Sequence, residues 1–254
     1  MNTITRNLMV FCAILSAMMF GNSETKVTGE FSSAITFSDS VSFTTPYTGI
    51  TISGTNWELS TNLTDGEVII EEAKYNWAIT DKVTATFGSQ ALPYGVAWGL
   101  HRPSSNSFVS VPREHAVGNG VGVSTSVYGV GIHTFYGNDE YWAARLSYSL
   151  WDQSFGLSVD GNEAVLVDVS SKVDVVGFPI TTSLEYDLSD DSDGSFWLRS
   201  VITPAFAKGA SLLLGFNSDD EVLYGIKYKC SDKCFLTTEL SAEGDTSIRV
   251  SYSF

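Results

Sequence analysis

Lysine and arginine are scarce in this sequence. The chain contains 14 of these basic residues against 29 aspartates and glutamates, which gives a formal net charge of −15 at pH 7. Proteins that bind nucleic acid neutralise its phosphates with clustered Lys and Arg side chains. The composition therefore argues against nucleic acid as a partner, and we expect none.

Long apolar runs are also missing from most of the chain, because no stretch after residue 24 approaches the roughly 18 apolar residues of a membrane-spanning helix. The one apolar block, Leu8 to Phe20, is short; it follows Arg6 and precedes the small residues of "GNS". This arrangement is typical of a cleavable secretory signal peptide, which we predict for residues 1–23, with a retained anchor as the alternative. The exported domain would then comprise residues 24–254.

Cysteine is rare as well: the sequence has three, of which Cys12 lies inside the apolar block. The other two, Cys230 and Cys234, stand in "KCSDKC". Since exported proteins meet an oxidising compartment, we predict a disulfide between this pair. A metal pair is the alternative, but no third or fourth ligand stands nearby in the sequence, so we expect neither a metal site nor a cofactor.

Helical periodicity is nearly absent after residue 24, and a period of two takes its place. Polar and apolar residues alternate in sixteen segments, which are separated by short clusters of turn-forming residues. The segments are approximately 26–37, 47–53, 56–63, 67–79, 82–92, 119–127, 130–137, 141–151, 154–160, 164–175, 180–188, 194–204, 210–217, 221–229, 234–242 and 246–254. The pattern predicts an all-β fold, and the count falls to fourteen strands if 47–53 or 154–160 is not a strand.

The alternation places apolar residues on one face of each strand and small, polar or charged residues on the other. In 141–151, for example, Trp142 and Leu146 face one way and Arg145 faces the other. Rings lie near strand ends, as in the aromatic girdles of membrane barrels, and most segments have about the 9–11 residues of a tilted spanning strand. We therefore predict a transmembrane antiparallel β-barrel of about 16 strands in the bacterial cell outer membrane. A secreted β-sandwich is the alternative.

The last predicted strand ends in an aromatic residue, Phe254. It resembles the C-terminal signal of bacterial outer-membrane proteins, a last strand with a terminal aromatic residue that the barrel assembly machinery reads. The resemblance implies this machinery as a partner, and Phe254 as assembly signal and girdle residue together. Outer-membrane lipid and lipopolysaccharide are the further partners that we expect, the latter through divalent ions at an acidic mouth.

In an even barrel whose N-terminus is periplasmic, the odd-numbered connections lie outside the cell. The first connection, 38–46, and the long third connection, 93–118, are then both external. Acidic residues concentrate in or beside outer connections, whereas Lys82, Lys208 and Lys233 lie in periplasmic turns. A solvated acidic rim and a mouth that attracts cations are the two interpretations.

Connection 93–118 contains arginines, which the other predicted outer connections lack. Because the third outer loop of general porins folds into the barrel and narrows the pore, we predict a constriction formed by charged and titratable residues of this connection. These residues are His101, Arg102, Arg113, Glu114 and His115. The alternative is an extracellular flap that packs over its own apolar residues.

Charged residues of mixed sign are predicted on the inner face of the barrel. They are Glu72, Lys74, Arg145, Glu185, Arg199, Lys227 and Arg249. Pairing with one another across strands would keep the wall polar. Mixed rings of charge would also tune the ion preference of a pore, and the sequence leaves both interpretations open.

The segment "AKYNWAITDKVTATFGSQALPYGVAWGL", with the exit from Phe108 to Glu114, resembles the phosphate-selective porin family over residues 73–115. The shared features are an aromatic strand, a short "TDK" turn, a strand that ends in Gly, and the "PYG" that opens the loop. The resemblance implies sixteen strands, a homotrimer and passive uptake of small solutes. Phosphate selectivity is not implied, because it needs ladders of Arg and Lys, and only 13 basic residues follow the predicted signal peptide.

Motifs of catalysis are missing too. No G-x-S-x-G nucleophile elbow occurs, His133 stands apart from any triad-like pattern, and the adjacent Glu71 and Glu72 point to opposite faces of a strand. We therefore predict a porin without catalytic residues, which passes small hydrophilic solutes or ions with a weak preference for cations. A closed structural or adhesive barrel is the alternative from another class, and lumen size would discriminate the two.

Overall fold

The structure is a computed structural model that describes residues 25–64, 67–95, 117–189, 195–218, 221–241 and 244–254; the predicted signal peptide, 1–23, lies outside these ranges. The described chain forms sixteen β-strands and one short 3-10 helix, Asn138–Glu140. The strands are β1 (Lys26–Phe37), β2 (Val41–Ser53), β3 (Trp57–Thr64), β4 (Glu67–Ala78), β5 (Val83–Ala91), β6 (Val117–Val127), β7 (Val130–Gly137), β8 (Trp142–Leu150), β9 (Gln153–Asp160), β10 (Val165–Asp174), β11 (Pro179–Asp187), β12 (Ser195–Ile202), β13 (Ala210–Asn217), β14 (Val222–Ser231), β15 (Cys234–Ser241) and β16 (Thr246–Ser253). No helix within the described ranges is long and apolar enough to cross a membrane.

Each strand pairs in antiparallel register with its neighbours in sequence, and β1 also pairs with β16, so the sheet closes into a barrel. At this seam Gly29 and Phe254 exchange both backbone hydrogen bonds, with N···O distances of 3.1 and 3.0 Å. The segments 47–53 and 154–160 both belong to strands. The prediction of an all-β barrel with sixteen strands is therefore confirmed, and the count of fourteen is wrong.

The first hairpin is tighter than predicted. Residues 38–46 are not a loop, because β2 begins at Val41 and only three residues connect it to β1. A proline has no N–H to donate to a sheet, which argues against a strand around Pro46 at the level of sequence. The register of β1 and β2 shifts between Ser32 and Ala34, opposite the stretch that contains Pro46, and this irregularity accommodates the proline within the sheet.

The outer surface of the barrel is apolar, and its rings collect toward the two ends of the strands. The girdle at the end that holds the chain termini includes Tyr75, Trp77, Tyr148, Phe155, Phe178, Tyr228 and Tyr252. The girdle at the opposite end includes Phe37, Phe43, Tyr136, Trp142, Tyr186 and Tyr224. A surface of exposed hydrophobic side chains between two aromatic girdles is suited to lipid, so the barrel is a transmembrane one.

The inner surface is polar, because successive side chains of a strand point to opposite faces. Arg145 on β8 and Glu185 on β11 are buried inside, whereas their neighbours Leu146 and Leu184 are exposed on the outer face. In these strands charge therefore faces inward and apolar residues face outward.

The seam is covered on its lipid side by one aromatic ring. The ring of Phe254 lies over Gly29, where an added Cβ would come within 2.1 Å of the ring's Cζ. Glycine at this position therefore lets the ring lie flat against the backbone of β1, and the ring shields the hydrogen bonds that close the barrel.

We expect Phe254→Ala to weaken the seam, because the backbone of Gly29 loses its cover. The midpoint of thermal unfolding should fall by about 2–4 °C, the shift that roughly 1 kcal/mol gives in a domain of this size. Heat-modifiable gel mobility of the refolded barrel measures it. Trp151→Ala is the control, because Trp151 is an 89 % exposed ring of the β8–β9 turn at the same end, away from the seam. An equal shift in both variants would contradict a role for Phe254 at the seam.

Candidate functional site

The inner wall carries its charges in four groups, each built by neighbouring strands. In the first group, on β3 and β4, the Lys74 ammonium lies 2.5 Å from a carboxylate oxygen of Glu72 and 3.3 Å from one of Glu58. The other carboxylate oxygen of Glu72 accepts the backbone N–H of Ala91 on β5 at 3.1 Å. Lys74 is therefore held between two acids, and its charge is compensated within the wall.

The second group joins Arg145 on β8 to Asp168 on β10, across the intervening β9. The Arg145 guanidinium donates to both carboxylate oxygens of Asp168, with an Nη2···Oδ1 distance of 2.8 Å, and to the Ser158 hydroxyl at 3.0 Å. The pair passes over Gly156 on β9, where a Cβ would lie 2.3 Å from both Arg145 Nη2 and Asp168 Oδ2. Glycine at this position is what leaves space for a bidentate pair, which is the strong geometry for Arg and a carboxylate.

The third group lies where the chain that follows β5 meets the wall. Glu185 on β11 and Arg199 on β12 are buried and attract each other electrostatically. The backbone N–H of Gly95 donates to the Ser158 hydroxyl on β9 at 3.0 Å, and a Cβ on Gly95 would lie 2.7 Å from Glu185 Oε2. The chain therefore crosses from the end of β5 to the wall of β9–β11 at the start of the connection between β5 and β6.

The fourth group lies beside the seam. Arg249 on β16 is only 2 % exposed and interacts electrostatically with Glu239 on β15 and Glu30 on β1. Lys227 on β14 interacts with the same group, and its Nζ lies 4.6 Å from the centroid of the Phe235 ring. Two cations and two carboxylates thus share one buried patch, and their attraction links the last strands to the first.

The structure places all seven predicted lumen charges on the inner face, within these four groups. The groups also contain Glu30, Glu58, Asp168 and Glu239. Of these acids, the sequence reading missed Glu30, although its alternation with the outward Phe31 marks it as an inward residue. It also missed Gly156, for which no sequence signal exists, because its role depends on side chains from two other strands.

The residues predicted to form a constriction lie outside the described part of the chain. They are His101, Arg102, Arg113, Glu114 and His115. The described start of this connection does enter the barrel. Leu92 is buried against Phe135 and Ala143 on β7 and β8, and a Cβ on Gly118 would lie 2.7 Å from Leu92 Cδ2.

The two ends of the barrel carry different charges. Four exposed acids of the described connections lie at the end away from the chain termini: Asp39, Glu140, Glu163 and Asp245. At the same end the phenol of Tyr141 donates a hydrogen bond to Asp160 at 2.9 Å. The pKa of Tyr141 is raised, mainly because the phenol is partly buried and secondly because of this hydrogen bond. Lys82, Lys208 and Lys233 lie at the opposite end, together with Asp81, Asp152 and Asp232. The acidic rim is thus confined to one end of the barrel, whereas the other end carries both acidic and basic residues.

Cys230 and Cys234 are free thiols in the structure, so the predicted disulfide is not confirmed. Cys230 lies near the end of β14 and Cys234 begins β15, on either side of a tight turn. The register shifts after Lys229 and places Ser231 opposite Cys234. Cys230 therefore has no directly opposite residue in the pairing of β14 with β15. The spacing of the two cysteines in the sequence could not indicate this irregularity.

No family model and no curated protein matches this sequence. Among solved structures, a mutant of the Rhodobacter blastica porin is similar with a TM-score of 0.70 and 12 % identity, over 91 % of this chain and 100 % of that chain. The in-vitro folded OmpT, an outer membrane protein of Vibrio cholerae in a trimer form, is similar with a TM-score of 0.66 and 9 % identity, over 92 % of this chain and 100 % of that chain. The chain has the fold of bacterial outer-membrane barrels. The resemblance to the phosphate-selective porin family is not confirmed.

We expect Gly156→Val to break the ion pair between Arg145 and Asp168, because the new side chain would occupy the space of both. Separating a buried pair costs about 3–5 kcal/mol, so the midpoint of urea unfolding in lipid vesicles should fall clearly. Ser154→Ala, on the same face of β9, is the control and should change the midpoint little. Unchanged stability of the Gly156 variant would show that the pair does not hold the wall together.

Proposed function

We propose that the protein is a porin of the bacterial outer membrane, through which small hydrophilic solutes or ions diffuse passively. The observation that carries this proposal is the polar inner wall, in which charged groups of opposite sign are held together inside an apolar closed barrel. A sixteen-stranded barrel is wide enough for an aqueous channel, which must be narrowed to select among solutes.

The third outer connection is the proposed constriction. Its start at Gly95 already contacts the wall of β9–β11. Arg102 and Arg113 would oppose the passage of cations there, with Glu114 and two histidines beside them. The acidic rim would concentrate cations at the mouth, so the net result that we propose is a weak cation preference.

The partners that we propose follow from the outer surface and from the fold. Outer-membrane lipid would contact the apolar belt, lipopolysaccharide would contact the acidic rim, and the barrel assembly machinery would read the strand that ends at Phe254. The trimer form named for the Vibrio cholerae protein supports a homotrimer for this chain. No role in catalysis is proposed.

A closed structural or adhesive barrel is the second candidate, and one observation favours it. Leu166 on β10 and Leu213 on β13 face the lumen, yet both are 0 % exposed, so water does not reach the wall at these two positions. Whether the rest of the lumen conducts decides between the two candidates.

Planar-bilayer recording of the purified chain tests the pore. We expect stable single-channel conductance, which should increase when part of 100–115 is removed, because the constriction is lost. The double variant Arg102→Ala with Arg113→Ala should raise the cation preference measured by reversal potential. Absence of conductance from the intact protein at every salt concentration would contradict the porin and favour the closed barrel, whereas anion selectivity would contradict only the charge argument.

We also propose that Cys230 and Cys234 form a disulfide after export. The closed loop is short, so the stabilisation should lie at or below about 2 kcal/mol, the small end of the usual range. Mass spectrometry without reduction should show a two-hydrogen deficit relative to the reduced protein. Two free thiols in protein freshly isolated from the outer membrane would exclude the bond.

A further inference from the structure

One part of the inner wall carries hydroxyl groups instead of charges. It lies on β5–β9, between Arg145 and the turns nearest the chain termini, on the same inner face as Arg145. The inward hydroxyl residues of this wall are Thr84, Thr86, Ser124, Ser126, Ser147, Ser149 and Ser154. His133 is the titratable residue among them. We call this surface the hydroxyl wall.

Hydrogen bonds between side chains order part of the hydroxyl wall. The Ser124 hydroxyl lies 3.0 Å from His133 Nδ1, and the hydroxyls of Ser149 and Ser154 lie 3.0 Å apart. A hydroxyl can donate one hydrogen bond and accept others, so each pair keeps capacity for a further partner. A wall of this kind matches a solute whose own groups both donate and accept.

A cleft of 510 Å³ opens at the rim of the hydroxyl wall, between the β4–β5 and β6–β7 turns. Its lining includes Asp81, Lys82, Ser126, Tyr128 and His133. Asp81 and Lys82 are adjacent and opposite in sign, so together they add no net charge. The volume lies within the roughly 300–1,000 Å³ of small-molecule sites.

Tyr128 supplies an aromatic face to this cleft. Tyr128 is 100 % exposed. It lies in the two-residue turn between β6 and β7, where its backbone has a φ of +50°. An exposed ring beside hydroxyl groups offers both contacts that a sugar ring makes, since the C–H face packs on the aromatic ring and the hydroxyl edge forms hydrogen bonds.

We propose that the cleft and the hydroxyl wall bind neutral polyhydroxylated solutes, namely sugars or sugar alcohols, as they pass the barrel. This proposal deepens the proposed porin function and rests on it for the passage of the solute, although not for binding. Three of the four charged groups contain cations and carboxylates in equal number. The first has one carboxylate in excess, but it lies on β3 and β4, outside the hydroxyl wall. The hydroxyl wall and the cleft therefore favour a ligand without net charge.

The test is saturation-transfer NMR on the folded full-length barrel in detergent, with glucose and sorbitol as probes. We expect transfer to both, and a Tyr128→Asn variant should bind about fivefold more weakly, because it loses the ring. Asparagine is chosen because it tolerates positive φ. Val176→Asn is the matched control: Val176 has a φ of +54°, is 93 % exposed, and lies in the β10–β11 turn at the same end, outside the hydroxyl wall.

A second variant tests the wall separately from the ring. Ser124→Ala with Ser126→Ala removes two hydroxyls without adding bulk, and it should also weaken glucose binding while Val176→Asn leaves it unchanged. Transfer to neither sugar, or an equal loss in the Tyr128 and Val176 variants, would overturn the proposal. Conductance is recorded on the same preparations, so a barrel that binds glucose without conducting would support this site while contradicting the porin.

Discussion

Closure of the sheet is the constraint on which the rest of this structure depends. Within a bilayer an unpaired backbone N–H or C=O costs several kcal/mol, so a membrane sheet is stable only when its first and last strands meet. Here they meet through the reciprocal bonds of Gly29 and Phe254 and the paired register of β1 and β16. Once the sheet is closed, the pleat decides that every second residue faces lipid and the others face the interior.

The interior charges follow from this closure, since a polar wall inside a low-dielectric shell needs its charges compensated. The four groups meet that need locally, with Lys74 between two carboxylates and Arg145 bridging a whole strand to Asp168. The same side chains serve stability and shape the electrostatic field of the lumen. Gly156 shows how closely the two are linked, because the absence of a side chain there makes the pair possible.

The lumen is divided along its length and around its wall. Two of the charged groups and the start of the connection between β5 and β6 occupy the wall of β8–β12. Hydroxyl groups occupy β5–β9 toward the chain termini. Such a division lets the barrel keep ion pairs in one part of its inner wall and still present a hydrogen-bonding surface to a solute in another part. It also separates the two proposals, because conduction depends on the constriction and binding depends on the rim.

The sequence by itself determined the strands, the face that each side chain takes and the membrane character, because a period of two is a local property of the chain. The prediction of a loop over 38–46 was wrong, because β2 includes Pro46 and the register of β1 and β2 is irregular opposite it. Only the tertiary structure decided which residues meet: Arg145 with Asp168 over Gly156, and Gly95 with Ser158. It also decided the backbone register in which Ser231 pairs with Cys234. Those encounters depend on strand register and on barrel closure, which bring together residues that no spacing along the chain relates.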